Sequence, residues 1–122
     1  MPERAKALAA VDNYLAQLTA ADLDGIMAAY AAEPTVNDPI GSPPKVGRDD
    51  IRAFYASILP LQPKAELIGP VTVTGAYAAF QFRLALTIGE NPVVVLATEL
   101  FRLDEDGLIV EMTAVPDLEA GA

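Results

Sequence analysis

The chain has 122 residues, no cysteine, no histidine and a formal net charge of −9 at pH 7. This composition excludes disulfides, thiolate sites, histidine-dependent hydrolase triads and most zinc and iron sites, so acid–base chemistry would have to use Asp, Glu, Tyr, Lys or water. The acidic balance argues against nucleic acid and against an anionic membrane surface as partners. With 52% hydrophobic and 20% charged residues, the sequence predicts one globular domain over residues 1–122.

No apolar run approaches the ~20 residues that a membrane-spanning helix needs. The first residues, Met1-Pro2-Glu3-Arg4, lead into an amphipathic helix and do not have the character of a signal peptide. We therefore expect a soluble, cytoplasmic protein.

Two helices are predicted at the start of the chain. Apolar residues recur at helical spacing over residues 3–20, and Tyr14 lies on the same stripe. Asp22 is a suitable N-cap for a second helix, which would carry Tyr30 on its inward face and end at Pro34.

A third helix follows a loop. Asp49 and Asp50 suit its first turn, where acidic side chains are favourable. Phe54 and Tyr55 would lie on its inward face, and Pro60 would end it.

The second half of the chain predicts strands. The clearest signal is a period-two alternation that places five apolar side chains on one face: Phe80, Phe82, Leu84, Leu86 and Ile88. Further strands are predicted at residues 71–74, 93–103 and 108–115, joined by hairpin turns. Helices followed by hairpin-connected strands indicate an α+β fold, with three N-terminal helices packed on a curved, mostly antiparallel sheet.

Asp38 is the first candidate for chemistry, in the stretch Val36-Asn37-Asp38-Pro39-Ile40-Gly41-Ser42. The proline that follows Asp38 restricts the aspartate backbone, and an apolar side chain lies close by. A carboxylate with a fixed aim suits a general base. Asp-Pro followed by Gly-Ser is also ordinary turn chemistry, so a purely structural role stays open.

Glu99 is the second candidate, because it interrupts an otherwise apolar strand. Both faces of that strand are mostly apolar, so the carboxyl group is expected to be buried whichever face lies inside. Burial without a cation raises the pKa of a carboxyl group, which would make Glu99 a neutral acid able to donate a hydrogen bond. The alternative is an edge-strand glutamate that prevents pairing with another chain.

Three tyrosines form the third feature. Tyr14, Tyr30 and Tyr55 would all lie on the inward stripes of the predicted helices, and a buried tyrosine hydroxyl usually needs a partner. The three hydroxyls could satisfy one another as a chain of hydrogen bonds, or the three rings could simply be core aromatics.

These stretches together resemble bacterial Δ5-3-ketosteroid isomerases over nearly the whole chain. The similarity lies in residues 22–26 (DLDGI), 38–42 (DPIGS), 51–55 (IRAFY) and 99–102 (ELFR). The resemblance implies the cone-shaped nuclear transport factor 2-like fold, usually dimeric. It also implies a steroid Δ-isomerase that moves the double bond of a 3-oxo-Δ5-steroid to the conjugated 3-oxo-Δ4 position, without a cofactor or metal.

The resemblance assigns a role to each candidate. Asp38 matches the general base that moves a proton from carbon 4 to carbon 6. Tyr14 matches the first oxyanion donor, Glu99 stands at the second, and Tyr55 and Tyr30 match the tyrosines that support Tyr14.

The remaining matches concern the shape of the site. Pro39 matches a proline that is cis in the family. The expected substrate-binding walls are Phe54, Phe82, Leu86, Phe101 and Pro116. Two positions depart from the family pattern: Glu99 replaces the usual Asp and is one methylene longer, and Pro116 replaces an aromatic ring near the base.

Other functions stay open on the same fold. A polyketide cyclase-like or epoxide-hydrolase-like enzyme would be expected to use His or an Asp–Arg–Asp cluster, and the chain has no His. A non-catalytic module that binds apolar ligands would not need Asp38 and Glu99 in one pocket. The expected partners are a small steroid substrate and a second copy of the chain, because the strand at 93–103 is apolar on both faces.

Overall fold

The structure is a computed structural model that describes residues 1–121. Within these residues, α1 (Arg4–Thr19), α2 (Leu23–Ala28) and α3 (Arg48–Ile58) pack on one face of a sheet, and a 3-10 turn, Leu59–Leu61, follows α3. The strands of the sheet are β1 (Tyr30–Asn37), β2 (Lys45–Val46), β3 (Lys64–Thr74), β4 (Tyr77–Ile88), β5 (Asn91–Leu103) and β6 (Ile109–Asp117).

The described strands form one sheet in the order β2-β1-β6-β5-β4-β3. Only the pairing of β1 with β6 is parallel, and the other neighbours are antiparallel. The long β4–β5 hairpin pairs from Tyr77 with Arg102 to Ile88 with Asn91. The predicted α+β class, with helices on a mostly antiparallel sheet, is confirmed.

The helix starts follow from local chemistry. The Asp22 side chain accepts a hydrogen bond from the backbone N–H of Gly25 at 2.9 Å, which is the predicted N-cap of α2. Asp49 and Asp50 occupy the first turn of α3, where their charges are favourable at the positive end of the helix dipole. The helix α3 ends at Ile58, just before Pro60, as predicted.

The second helix is shorter than predicted. It ends at Ala28, and Tyr30 is the first residue of β1 rather than a helical residue. The cause is long-range pairing: Tyr30 aligns with Ile109 of β6, whose N–H donates to the carbonyl of Ala29 at 2.9 Å. Pro34 lies inside β1 at an irregularity of the β1–β6 register, a place where a strand tolerates a residue without an N–H donor.

The core lies between the helices and the inner face of the sheet. On β5 the buried and exposed positions alternate, so that Val95, Ala97, Glu99, Phe101 and Leu103 all face inward. Among the described residues, Glu99 is the one carboxylic acid buried with these apolar side chains.

Candidate active site

A cavity of about 220 Å³ lies between α3 and the inner face of the sheet. Two carboxyl groups line it, those of Asp38 and Glu99. The rest of its wall is apolar and is formed by Pro39, Phe54, Ile58, Leu61, Phe82, Leu84, Leu86, Val95, Ala97, Ala114 and Pro116.

A larger and more open groove of about 480 Å³ lies between α1 and β3. Asp12 is its only ionisable side chain, and that side chain is exposed on the helix surface. We place the candidate chemistry in the smaller cavity, because two carboxyl groups converge there in an apolar environment.

Asp38 directly follows β1, and the peptide bond between Asp38 and Pro39 is cis. The turn is fixed to the sheet because the N–H of Ile40 donates to the carbonyl of Ala114 at 2.9 Å. Within the turn, the hydroxyl of Ser42 donates to the carbonyl of Pro39 at 2.6 Å. The stretch is thus both a turn and a wall of the cavity, and its contacts restrict where the Asp38 carboxyl group points.

Burial raises the pKa of Asp38 above its ordinary value, and the positive charge of Lys45 opposes that rise. Lys45 is a residue that the sequence did not single out. Its Nζ donates to the carbonyl of Asp38 at 2.9 Å and lies 4.5 Å from the centroid of the Phe54 ring. Nothing local in the sequence marks it, since only the pairing of Lys45 with Val36 brings it to the site.

Glu99 is 4% exposed, and its Oε1 atom has no hydrogen-bond partner among residues 1–121. Burial, with a smaller contribution from the charge of Asp38, raises the pKa of Glu99 well above its ordinary value. The edge-strand alternative is wrong, because β5 lies between β4 and β6. Glu99 is therefore a buried carboxyl group that faces the cavity with an unused polar atom.

The three tyrosine hydroxyls form a chain of hydrogen bonds. The Tyr55 hydroxyl lies 2.8 Å from that of Tyr14 and 2.5 Å from that of Tyr30. All three side chains are at most 2% exposed. Burial raises the pKa of each of them well above its ordinary value, so all three remain protonated at neutral pH.

Tyr14 and Glu99 are electrostatic neighbours. After burial, the next largest cause of the raised pKa of Tyr14 is the charge of Glu99. The ring of Tyr14 packs edge-to-face on that of Phe101, with ring centroids 5.1 Å apart. The charge of Glu99 thus acts on the Tyr14 hydroxyl, while Tyr14 itself lies outside the cavity lining.

The predicted wall residues divide into two groups. Phe54, Phe82, Leu86 and Pro116 line the cavity. Phe101 lies in the core behind it, fully buried against the rings of Tyr14 and Phe80. Its position supports Tyr14 from behind.

The family model described as the SnoaL-like domain matches residues 11–112. The chain belongs to the SnoaL-like family. A steroid Delta-isomerase of Nocardioides simplex is 34% identical to this SnoaL-like protein over 110 residues, which cover 90% of this chain and 89% of that one. The predicted relationship to steroid isomerases and to the nuclear transport factor 2-like superfamily is confirmed at this level.

A solved structure shows the same fold. SalBIII, an epoxide hydrolase/cyclase-like enzyme with a role in pyran ring formation in the polyether salinomycin, matches this SnoaL-like protein with a TM-score of 0.91. The match covers 98% of this chain and 96% of that chain at 22% identity, so the likeness concerns the fold alone.

Residues 1–121 of the SnoaL-like protein contain no group of three or more His, Cys, Asp or Glu side chains placed to hold a metal ion. No helix in this part of the chain is both long enough and apolar enough to cross a membrane.

Proposed function

We propose that this SnoaL-like protein is a steroid Δ-isomerase that moves the double bond of a 3-oxo-Δ5-steroid into conjugation. One observation carries the proposal: a carboxylate on a fixed turn and a buried, unpartnered carboxyl group face the same apolar cavity. Apolar walls suit a neutral, polycyclic substrate. The 34% identity to a steroid Delta-isomerase supports the same chemistry.

Asp38 is the proposed general base. Its carboxylate takes a proton from carbon 4 of the substrate, the electrons of the broken C–H bond form a dienolate, and the same proton is then delivered to carbon 6. No other reactant is needed, because the product is an isomer of the substrate. The burial that raises the pKa of Asp38 also makes its carboxylate a stronger base.

Tyr14 and Glu99 are the proposed donors to the enolate oxygen. Glu99 can help only as a neutral acid, since a carboxylate would repel the developing negative charge, and its raised pKa satisfies this condition. In a site without water, each donor is worth about 3 kcal/mol of transition-state stabilisation. We propose that the Tyr30 hydroxyl, 2.5 Å from that of Tyr55, donates to it, and that Tyr55 donates to Tyr14 at 2.8 Å, which strengthens the final hydrogen bond.

The size of the cavity limits how much of the substrate is enclosed. At about 220 Å³ it is smaller than the roughly 300–1,000 Å³ of common ligand pockets. We propose that it encloses the reacting rings, and that the rest of the steroid lies against the half-buried lining residues Leu61 and Leu86.

Epoxide opening is a second candidate, favoured by the different surroundings of the two carboxyl groups. A neutral Glu99 would protonate the epoxide oxygen, while the Asp38 carboxylate would remove the proton of the attacking hydroxyl group or water. The isomerase is the better supported proposal, because the identity to a steroid isomerase is higher than that to the cyclase-like enzyme. Assays of a β,γ-unsaturated 3-ketosteroid and of a hydroxy-epoxide distinguish the two reactions.

The direct test is the ultraviolet absorbance of the conjugated product formed from a β,γ-unsaturated 3-ketosteroid. Replacing Asp38 with Asn (Asp38→Asn) keeps the shape and removes the base, so kcat should fall by roughly 10²- to 10⁴-fold while steroid binding persists. Asp12→Asn is the matched control, because Asp12 is exposed on α1 and should leave turnover unchanged. A parental protein without isomerisation, or an Asp38→Asn variant with parental turnover, contradicts the proposal.

A further inference from the structure

The ammonium group of Lys45 contacts two residues that line the cavity, Asp38 and Phe54. Its Nζ donates to the backbone carbonyl of Asp38 at 2.9 Å and lies 4.5 Å from the centroid of the Phe54 ring. Asp38 and Phe54 both line the cavity, on a turn and on α3. The ammonium group therefore contacts the turn of Asp38 and the ring of Phe54 on α3 at the same time.

The ammonium group has no acidic partner to neutralise it. The ion pairs among residues 1–121 join Arg52 with Asp24 and Arg102 with Glu111, and neither involves Lys45. Lys45 is half-buried, so its charge is less screened than that of a lysine in water.

The groups that act on Asp38 come from several elements. Lys45 on β2 is the cation, and Glu99 on β5 is the second carboxyl group of the cavity. The hydroxyls of Tyr14 on α1 and Tyr30 on β1 are close enough to respond to the charge of Asp38. Glu99 and both tyrosines are neutral when protonated, and Lys45 is the cation whose charge lowers the pKa of Asp38.

We propose that Lys45 is a positioning residue for the isomerisation. Its ammonium group fixes the turn of Asp38 against the ring of Phe54 and places a positive charge beside the cavity that the Asp38 carboxyl group lines. This inference rests on the proposed function. It adds Lys45 to the site, although the proton transfers by Asp38 and Glu99 do not themselves require a lysine.

Three variants of Lys45 and one control separate the effect of its charge from the effect of its packing against Phe54. Lys45→Met removes the charge and keeps the length of the side chain and its contact with Phe54. Lys45→Gln removes the charge and keeps a donor, and Lys45→Arg keeps both. Lys64→Met is the matched control, because the Nζ of Lys64 also donates to a backbone carbonyl, that of Thr19 at 3.0 Å, far from the cavity.

The first readout is the titration of Asp38, followed by NMR on protein with ¹³C-labelled aspartate carboxyl carbons and assigned with Asp38→Asn. Burial raises the pKa of Asp38 and Lys45 lowers it, so loss of the charge should move the titration to higher pH. We expect this displacement in Lys45→Met and Lys45→Gln and not in Lys45→Arg or Lys64→Met.

The second readout is the pH dependence of kcat/KM for isomerisation. The base works when deprotonated, so its acid limb should move to higher pH in the Met and Gln variants. Their kcat/KM should fall roughly three- to tenfold more at about pH 5 than at about pH 8. Arginine should restore the parental profile, whereas a residue with only a structural role would lower kcat/KM equally at all pH values.

The outcomes separate the inference from the proposed function. An unchanged titration of Asp38 in the Met and Gln variants overturns the role of Lys45, whatever the activity. A parental protein that does not isomerise the steroid overturns the proposed function, while the NMR titration still reports whether Lys45 acts on Asp38. A pH-independent loss that arginine does not restore also overturns the positioning role.

Discussion

The two carboxyl groups of the cavity have different surroundings. Glu99 lies on a central strand among Ala97, Phe101 and other apolar side chains, and burial raises its pKa well above the ordinary value. Asp38 lies on a turn at the edge of the cavity, where Lys45 offsets part of the rise in pKa that burial causes. This difference supports the proposed roles of Asp38 as the base and Glu99 as the acid.

The tyrosine chain leads to a graded prediction. Tyr14→Phe removes the hydroxyl that would contact the enolate oxygen, so kcat should fall by about 10²- to 10³-fold. Tyr30→Phe removes the far end of the same chain and should cost about tenfold or less, because the Tyr55 hydroxyl remains 2.8 Å from that of Tyr14.

Turnover of the steroid measures both losses, with Tyr77→Phe as the control for an exposed tyrosine of the same chain. Equal losses from Tyr14→Phe and Tyr30→Phe would contradict the order of the donors.

At the residue scale, the sequence predicted the burial of those side chains whose position follows from a pattern within one helix or strand. The apolar residues on both faces of 93–103 predicted burial of Glu99 whichever face lies inside, and helical spacing placed Tyr14 and Tyr55 inward. Lys45 could not be predicted, because its role depends on a two-residue strand that forms only when β1 is present to pair with it.

At the element scale, Arg48 stabilises the junction between α2 and β1, where the sequence predicted a continuous helix. Its guanidinium donates to the carbonyls of Met27, Tyr30 and Ala31 at 2.9–3.0 Å. Met27 lies in the last turn of α2, and Tyr30 and Ala31 are the first residues of β1, so Arg48 joins the two elements where the helix stops. The start of α3 thus holds Tyr30 in place.

Arg48→Met should destabilise the fold by about 2–3 kcal/mol, because three carbonyl groups lose a charged donor. Arg52→Met is the matched control on the same helix. Arg52 forms only an exposed ion pair with Asp24, so its loss should cost less than about 1 kcal/mol. Urea denaturation measures both, and equal effects would show that Arg48 is not a structural clamp.

The predicted helices and strands were correct where a local sequence pattern defines them. They were incomplete where pairing with a strand distant in the sequence determines where an element begins. The alternation of Phe80 and Phe82 predicts β4, and the prolines after Ile58 predict the end of α3. The alanines after Met27 favour helix on their own, so only the parallel pairing with β6 shows that Tyr30 begins a strand. The start of β3 at Lys64 was missed because the alternation of its first residues is interrupted at Gly69-Pro70, before the segment at 71–74.

At the scale of the whole molecule, the outer face of the sheet carries exposed apolar side chains. Leu100 is 41% exposed and Val115 is 51% exposed, and Thr98 lies beside them on the same face. We propose that a second copy of the chain packs here, because an uncovered apolar patch on a sheet usually marks an interface. The dimer, the single domain, the cytoplasmic location and the lack of a nucleic-acid partner all stay predictions.

Leu100→Asp places a charge in the centre of this face and should shift the protein from dimer to monomer. Val46→Asp is the matched control, since Val46 is 63% exposed on β2 at the far edge of the sheet. Sedimentation velocity measures the mass of both variants. A parental protein that sediments as a monomer would contradict the proposed interface.

The proposed chemistry depends most directly on the protonation state of Glu99. Infrared spectra of the parental protein at neutral pH should contain the C=O stretch of a neutral carboxylic acid, and the difference spectrum against Glu99→Gln should assign that band to Glu99. Because burial raises the pKa of Glu99 well above its ordinary value, the band should persist as pH rises through the range in which exposed glutamates ionise. A spectrum at neutral pH in which Glu99 contributes only carboxylate bands would contradict a two-donor site for the enolate oxygen.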